Sequence, residues 1–153
     1  MRGPELDRYQ LRPMCPSDLD EVVAIERLSY DFPWSKQLFE DCLRVGYCCW
    51  VCEDSDILCG YGILSVGAGE CHVLNVCIVP KLRSQGLGRY LMNHLLHLGK
   101  RHRSDTAFLE VRISNQAAIH LYQTLGFNEI GTRRAYYPTR SGREDAIMFA
   151  KHL

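Results

Sequence analysis

The sequence predicts an α/β (α+β) sandwich, a mixed sheet carrying helices, and three observations predict it. Apolar runs at residues 47–53, 57–66 and 70–79 follow one another with turn residues between them, which reads as a meander. The second half then alternates strand, helix, strand, helix, strand. Each helical stretch keeps one apolar stripe at helical spacing, so the helices must lie on a sheet.

The elements follow in order. Residues 9–13 form a short first strand, and Ser17 caps a helix whose apolar positions are Val22, Val23, Ile25 and Leu28, ending near Tyr30. Phe32-Pro33-Trp34 makes an aromatic elbow, after which Ser35 caps a second helix running to about Leu43. Asp54-Ser55-Asp56 is a hairpin turn between the first two meander strands. Leu87, Leu91, Leu95 and Leu98 stripe a helix over residues 86–102, and residues 106–111 form a strand. Ser114 caps a last helix with Ala118, Leu121, Tyr122 and Leu125 on one face, and Gly126 stops it. Residues 128–136 and 145–151 complete the sheet.

Composition bounds the rest. A chain of 153 residues has the size of one domain, so a single domain over 1–153 is expected. No stretch reaches the ~18 apolar residues of a membrane span, and residues 1–9 lack a signal-peptide core, so a cytoplasmic protein without membrane contact is expected. Residues 1–75 hold 6 Lys/Arg against 13 Asp/Glu, and residues 76–153 hold 12 against 5. That division points to an anionic ligand on the second half rather than to direct nucleic-acid binding by a uniformly basic surface. All eight cysteines lie at or before Cys77 and read as reduced, buried thiols. Cys49-x-x-Cys52 falls on a strand, where odd spacing sends the two side chains to opposite faces, so no metal is expected. The histidines His72, His94, His97, His102, His120 and His152 are scattered and receive no role.

The sharpest segment is an apolar strand, Val76-Cys77-Ile78-Val79-Pro80, that runs through Arg83-Ser84-Gln85-Gly86-Leu87-Gly88-Arg89 into a helix. Free N–H groups at a helix start, with the helix dipole and two arginines, form an anion site, and glycines let a diphosphate approach the main chain. A P-loop is excluded because no Gly-Lys-Ser/Thr occurs, and a dinucleotide fingerprint fails at Leu91.

The remaining pattern, R-x-x-G-x-G, resembles that of the GNAT superfamily of acetyltransferases, and the resemblance runs from Tyr9 to the end. Within it the chain resembles RimI-type enzymes, which acetylate the N-terminal alanine of a small-subunit ribosomal protein, the eighteenth. Phe32-Pro33-Trp34-Ser35, Asn75-Val76, Leu109-Glu110-Val111-Arg112, Ser114-Asn115, Leu121-Tyr122, Arg134 to Pro138 and Gly142 to Ala146 carry this match. Val79 replaces a frequent Asp and Leu82 a common aromatic, both at the loop periphery.

The resemblance implies the GNAT fold: a mixed, mostly antiparallel sheet of about seven strands, with two splayed central strands and about four helices. It implies acetyl-CoA as acetyl donor, bound by the backbone of Val76, Cys77 and Ile78, by Arg83, Ser84, Gln85, Gly86, Leu87, Gly88 and Arg89, and by Asn115. It also implies Glu110 as general base, Tyr122 as general acid, and an acceptor groove framed by Phe32, Trp34, Tyr136 and Tyr137. Glu21, Glu26 and Asp31 add negative charge on that side and suggest capture of an acceptor with a basic tail.

Acetyl transfer needs an unprotonated amine, and reference pKa values near 8 for an α-amine and 10.4 for lysine set the cost. At pH 7 deprotonation costs roughly 1 and 4.6 kcal/mol respectively, so a modest base serves a protein N-terminus. Two other readings stay open at this point: transfer to a small-molecule amine or lysine side chain, and a non-catalytic acetyl-CoA binding module.

Overall fold

Residues 4–153 are described by the structure, a computed structural model. The strands are β1 (Gln10–Pro13), β2 (Cys48–Asp54), β3 (Ile57–Gly67), β4 (Glu70–Ile78), β5 (Thr106–Arg112), β6 (Asn128–Thr139) and β7 (Gly142–His152). The helices are α1 (Leu19–Ser29), α2 (Lys36–Arg44), α3 (Leu87–Arg101) and α4 (Gln116–Thr124). One seven-stranded sheet runs β1-β2-β3-β4-β5-β7-β6, in which only β4 and β5 are parallel. Among the described residues, no helix is long and apolar enough to cross a membrane.

Each face of the sheet carries one helical layer. Leu19, Val22 and Val23 of α1 and Phe39 and Cys42 of α2 pack with Cys49, Val51, Tyr61 and Ile63. Opposite, Leu91, Met92 and Leu95 of α3 and Ile119 of α4 cover β3, β4, β5 and β7. Cys49 and Cys52 lie in different clusters on opposite faces, as their odd spacing requires. All eight thiols are free.

Three local expectations change. The α1 stripe runs Leu19, Val22, Val23, Glu26, so Glu26 is 2% exposed and Leu28 is 73% exposed. Positions 22, 23 and 26 share a face, and residue 28 lies off it. Ser17 falls inside a short 3₁₀ turn, Pro16–Asp18, and Asp18 precedes α1 with its carboxylate committed to the Arg12 guanidinium and the Cys15 N–H. The last helix is capped by Asn115, not Ser114: the Asn115 side chain accepts the Ala118 N–H at 3.2 Å. Ser35 does cap α2, accepting from the Leu38 N–H. The final hairpin is longer than its apolar pattern, because β6 and β7 pair through polar residues to a turn at 140–141.

The central strands part. Pairing between β4 and β5 runs from Glu70↔Thr106 to Val73↔Leu109 and stops there. At the same level β4 carries an extra residue against β3: Ile63 faces Asn75 and Leu64 faces Val73, which leaves Leu74 as a bulge. A bulge bends its strand and reverses the alternation of side chains beyond it. Val73 accordingly packs under α3, whereas Asn75 and Cys77 turn to the α1 side.

Gly60 on β3 sits against the outer half of β4, where an added Cβ would lie 2.6 Å from the Cys77 carbonyl oxygen and 2.7 Å from Ile78 Cδ1. Gly60→Ala should therefore push that half of β4 away at a cost of roughly 1–3 kcal/mol, lowering Tm by about 3–10 °C. An unchanged melting curve would show that β4 yields freely there.

Candidate active site

The parted strands open a cleft of about 630 Å³ lined by β4, β5, the α1–α2 elbow and the β6–β7 hairpin. From Leu74 to Ile78 the β4 edge has no β5 partner, so its main-chain groups face the cleft instead of a ladder. The Tyr30 hydroxyl reaches this edge and donates to the Val76 carbonyl at 3.2 Å.

At the outer end of β4 the chain turns through Pro80–Leu82 into the loop before α3. Arg83 Nε donates to the Ile78 carbonyl and fixes the loop's start. Ser84 and Gly86 take positive φ of 63° and 89°, and Gly86 leads into α3 without any side-chain cap. The first amides of α3 therefore keep their donors free, at the positive end of a 15-residue helix. Gly88 lies where a Cβ would stand 3.3 Å from Leu121, so α3 approaches α4 closely. Arg89 is anchored to the Thr124 hydroxyl of α4. This set of free amides and guanidinium groups fits a diphosphate, and the open β4 edge fits the amides of an extended arm.

Deep in the cleft, β5 ends its paired half at Leu109 and presents Glu110. One carboxylate oxygen lies 2.8 Å from Arg133 Nε, without hydrogen-bond alignment, and the other lies 3.6 Å from His72 Nε2. Tyr122 reaches the cleft from α4, its ring packed near Phe127 and Phe149. Burial pushes its phenol up to about 12, so it holds its proton at neutral pH.

Of the residues anticipated from sequence, Glu110, Tyr122, Val76, Arg83, Asn115, Phe32, Trp34 and Tyr137 line the cleft together. Ser84, Gln85 and Gly86 form the exposed loop, Leu87 is buried at the helix start and Arg89 is exposed in the first turn of α3. The Cys77 thiol faces away, donating to Ser29 Oγ at 3.3 Å within the α1-side core. Ile78 is buried in the α3-side core. Tyr136 lies outside the cleft lining, edge-on to Tyr137 and beneath the Arg133 guanidinium.

Two residues of the site take roles that the sequence does not give them: Glu26 is expected only as part of the acidic elbow, and Arg112 has no expected role in the site. Glu26, buried at the cleft floor, accepts from the Tyr61 hydroxyl, the Asn75 amide and the Trp34 N–H at 2.7, 3.0 and 2.9 Å. It ties β3, the bulged part of β4 and the elbow together. Arg112 donates to the Pro138 carbonyl at 2.7 Å, pairs with Glu144, and spreads over the rings of Tyr137 and Phe32. The Ser114 side chain and N–H, and then Arg112, hold the Glu144 carboxyl below its usual range. A lone Glu at an apolar helical position was the available signal for Glu26; nothing local marks Arg112 as a hub.

Of the acidic residues expected to attract a basic tail, one is buried and one is ion-paired at the surface. Glu26 is sealed by hydrogen bonds, and Asp31 is paired with Arg140 across the cleft mouth at 2.9 Å. Asp31 stays exposed within that pair and lines the cleft, and Glu21 is exposed on α1 outside the cleft lining.

Comparison with known proteins agrees with this geometry. Residues 19–127 match the model of the acetyltransferase (GNAT) family. The chain is 40% identical over 134 residues to the [ribosomal protein bS18]-alanine N-acetyltransferase of Escherichia coli K12, covering 88% of this chain and 90% of that one. It is 31% identical to the protein of the same description from Haemophilus influenzae, covering 89% and 93%. The crystal structure of the ribosomal-protein-S18-alanine N-acetyltransferase from Escherichia coli superposes with a TM-score of 0.89 at 36% identity, covering 95% of this chain and 94% of that chain. With a splayed β4–β5 pair leading to uncapped amides at the start of α3, the chain belongs to the GNAT family of acetyltransferases.

Proposed function

We propose that this acetyltransferase moves the acetyl group of acetyl-CoA to the N-terminal alanine of ribosomal protein bS18, in the cytoplasm. The observation that carries the reading is the pairing of Glu110 and Tyr122 in one cleft, at the point where β4 and β5 separate. The relatives named for this activity match nearly the whole chain, which supports the acceptor.

The donor supplies an activated thioester. Its diphosphate is held by the amides from Ser84 to Arg89 with Arg83 and Arg89, and its arm runs along the open edge of Val76 to Ile78. Asn115, at the start of α4, faces that arm from the other side. N–H groups of the same edge meet the charge that develops on the acetyl oxygen. Glu110 takes the proton of the α-ammonium, directly or through a water, and the amine attacks. Tyr122, which burial keeps protonated until thiolate forms, gives its proton to the departing sulfur.

On the acceptor side, Phe32 and Trp34 from the elbow and Tyr137 from the hairpin frame the entrance. Arg112 holds that frame by gripping Pro138 and Tyr137. Specificity for a small first residue is assigned to these aromatic walls.

Tyr122→Phe should keep acetyl-CoA affinity and lower kcat by roughly 10²–10⁴ in steady-state assays; full activity removes the phenol from the mechanism. Glu110→Gln should fall by a similar factor and recover partly as pH rises, because the α-ammonium then deprotonates unaided. A loss independent of pH would assign Glu110 to peptide positioning alone. Arg112→Ala should raise KM for the peptide more than it lowers kcat, and a reversed split would contradict the framing role. Mass spectrometry of ribosomal proteins incubated with labelled acetyl-CoA should find the label on an alanine N-terminus. Label on lysine would overturn the proposed acceptor.

A further inference from the structure

Each turnover at neutral pH must discard a proton: an ammonium and a thioester become an amide, a free thiol and H⁺. With donor and acceptor both seated, the base lies at the bottom of a filled cleft. A second cavity of about 310 Å³ opens behind it on the same sheet face, lined by Tyr47, Ser65, Glu70, His72 and Phe108 among others. Glu110 lines the first cavity and not the second, and His72 lines the second and not the first. Their side chains nevertheless meet, with Nε2 3.6 Å from Oε1.

The strand register explains the meeting. His72 pairs with Phe108 across the parallel β4–β5 ladder, so Glu110 is its diagonal neighbour two residues further along β5. Both point to the same face, His72 within the paired part of the ladder and Glu110 one residue past its end. The second Glu110 oxygen faces Arg133 on β6, a permanently charged group that cannot accept a proton. Around His72 the remaining titratable groups are Glu70 on its own strand and Tyr47 ahead of β2, both exposed, with Ser65 of β3 beside them and the Phe108 ring 6.3 Å away. The imidazole is 39% exposed, so it has one side toward the base and one toward solvent.

We propose that His72 is the proton exit of this site, a relay that acts through Glu110 and rests on the assignment of Glu110 as base. The N–H bond of the substrate ammonium breaks and an O–H bond forms on Glu110. That O–H then breaks as the His72 ring takes the proton at Nε2, the resulting imidazolium loses its Nδ1 proton to water in the second cavity, and proton exchange of the ring with that water restores the Nδ1–H tautomer before the next turnover. Glu110 returns to carboxylate without the acceptor having to leave. The Tyr122 proton goes to sulfur, and the second nitrogen proton restores Tyr122 through the cleft, so one proton leaves per turnover.

The test is chemical rescue. Wild-type kcat should not depend on buffer concentration, whereas His72→Ala should lose about tenfold at low buffer and regain it with added imidazole, which fits the vacated cavity. His72→Gln, which cannot accept and leaves less room, should lose as much and be rescued poorly. Equal rates for wild type and His72→Ala at the lowest buffer overturn the relay. A deficit in His72→Ala that imidazole does not mend also overturns it, by assigning His72 a packing role. Glu110→Gln assayed beside them separates the two claims: if it is fully active the base assignment itself is lost, and if it is impaired while His72→Ala is normal, only the exit is lost.

Discussion

The separation of β4 from β5 is the constraint on which the rest depends. Two parallel strands that stayed paired to their ends would bury their main-chain groups in a ladder and leave no room beside Glu110. Pairing stops after Val73 and Leu109, level with the Leu74 bulge. The bulge acts twice. It bends β4 away from its neighbour, and it exchanges the faces of Asn75 and Cys77, so that Asn75 reaches Glu26 and the Cys77 thiol withdraws into the core. Open amides, a cavity and an accessible Glu110 carboxylate all lie where one strand carries one extra residue.

A parted sheet needs support, because each half has lost hydrogen bonds and apolar contact along the gap. On the α1 side the support is the buried Glu26 carboxylate, whose three donors come from three separate elements. A buried acid without a cation is costly unless its lone pairs are filled, and here they are. On the β5 side the corresponding clamp is Arg112, which joins the strand end to the hairpin and to the elbow. Both clamps converge on the aromatic entrance, which links the spacing of the walls to the same contacts that hold the strands apart.

Electrostatics divides the cleft by function. The donor side keeps its positive charge and free amides exposed at the start of α3. The acceptor side cancels its charges pairwise, through Asp31–Arg140, Glu144–Arg112 and Glu110–Arg133. One mouth offers donors and positive charge, and the other holds its charges in ion pairs.

Much of this was legible along the chain. The alternation of apolar residues, the Ser35 cap, the Gly126 stop and the Arg83 to Arg89 loop are local signals, since each depends on residues within a turn or two. They determined the fold class and pointed to the loop before α3 as a candidate anion site and, with the family resemblance, to Glu110 and Tyr122 as the pair to watch. What only the tertiary structure decided depends on partners distant in sequence. Leu74 is a bulge solely by reference to β3, and Glu26 is buried solely because Tyr61, Asn75 and Trp34 close over it. Likewise Asp31 loses its pull to Arg140, 109 residues away. His72 meets Glu110 through a parallel ladder that no local pattern records. Short-range spacing fixes which face a side chain takes on its own element, but strand register and packing fix which other side chain waits there.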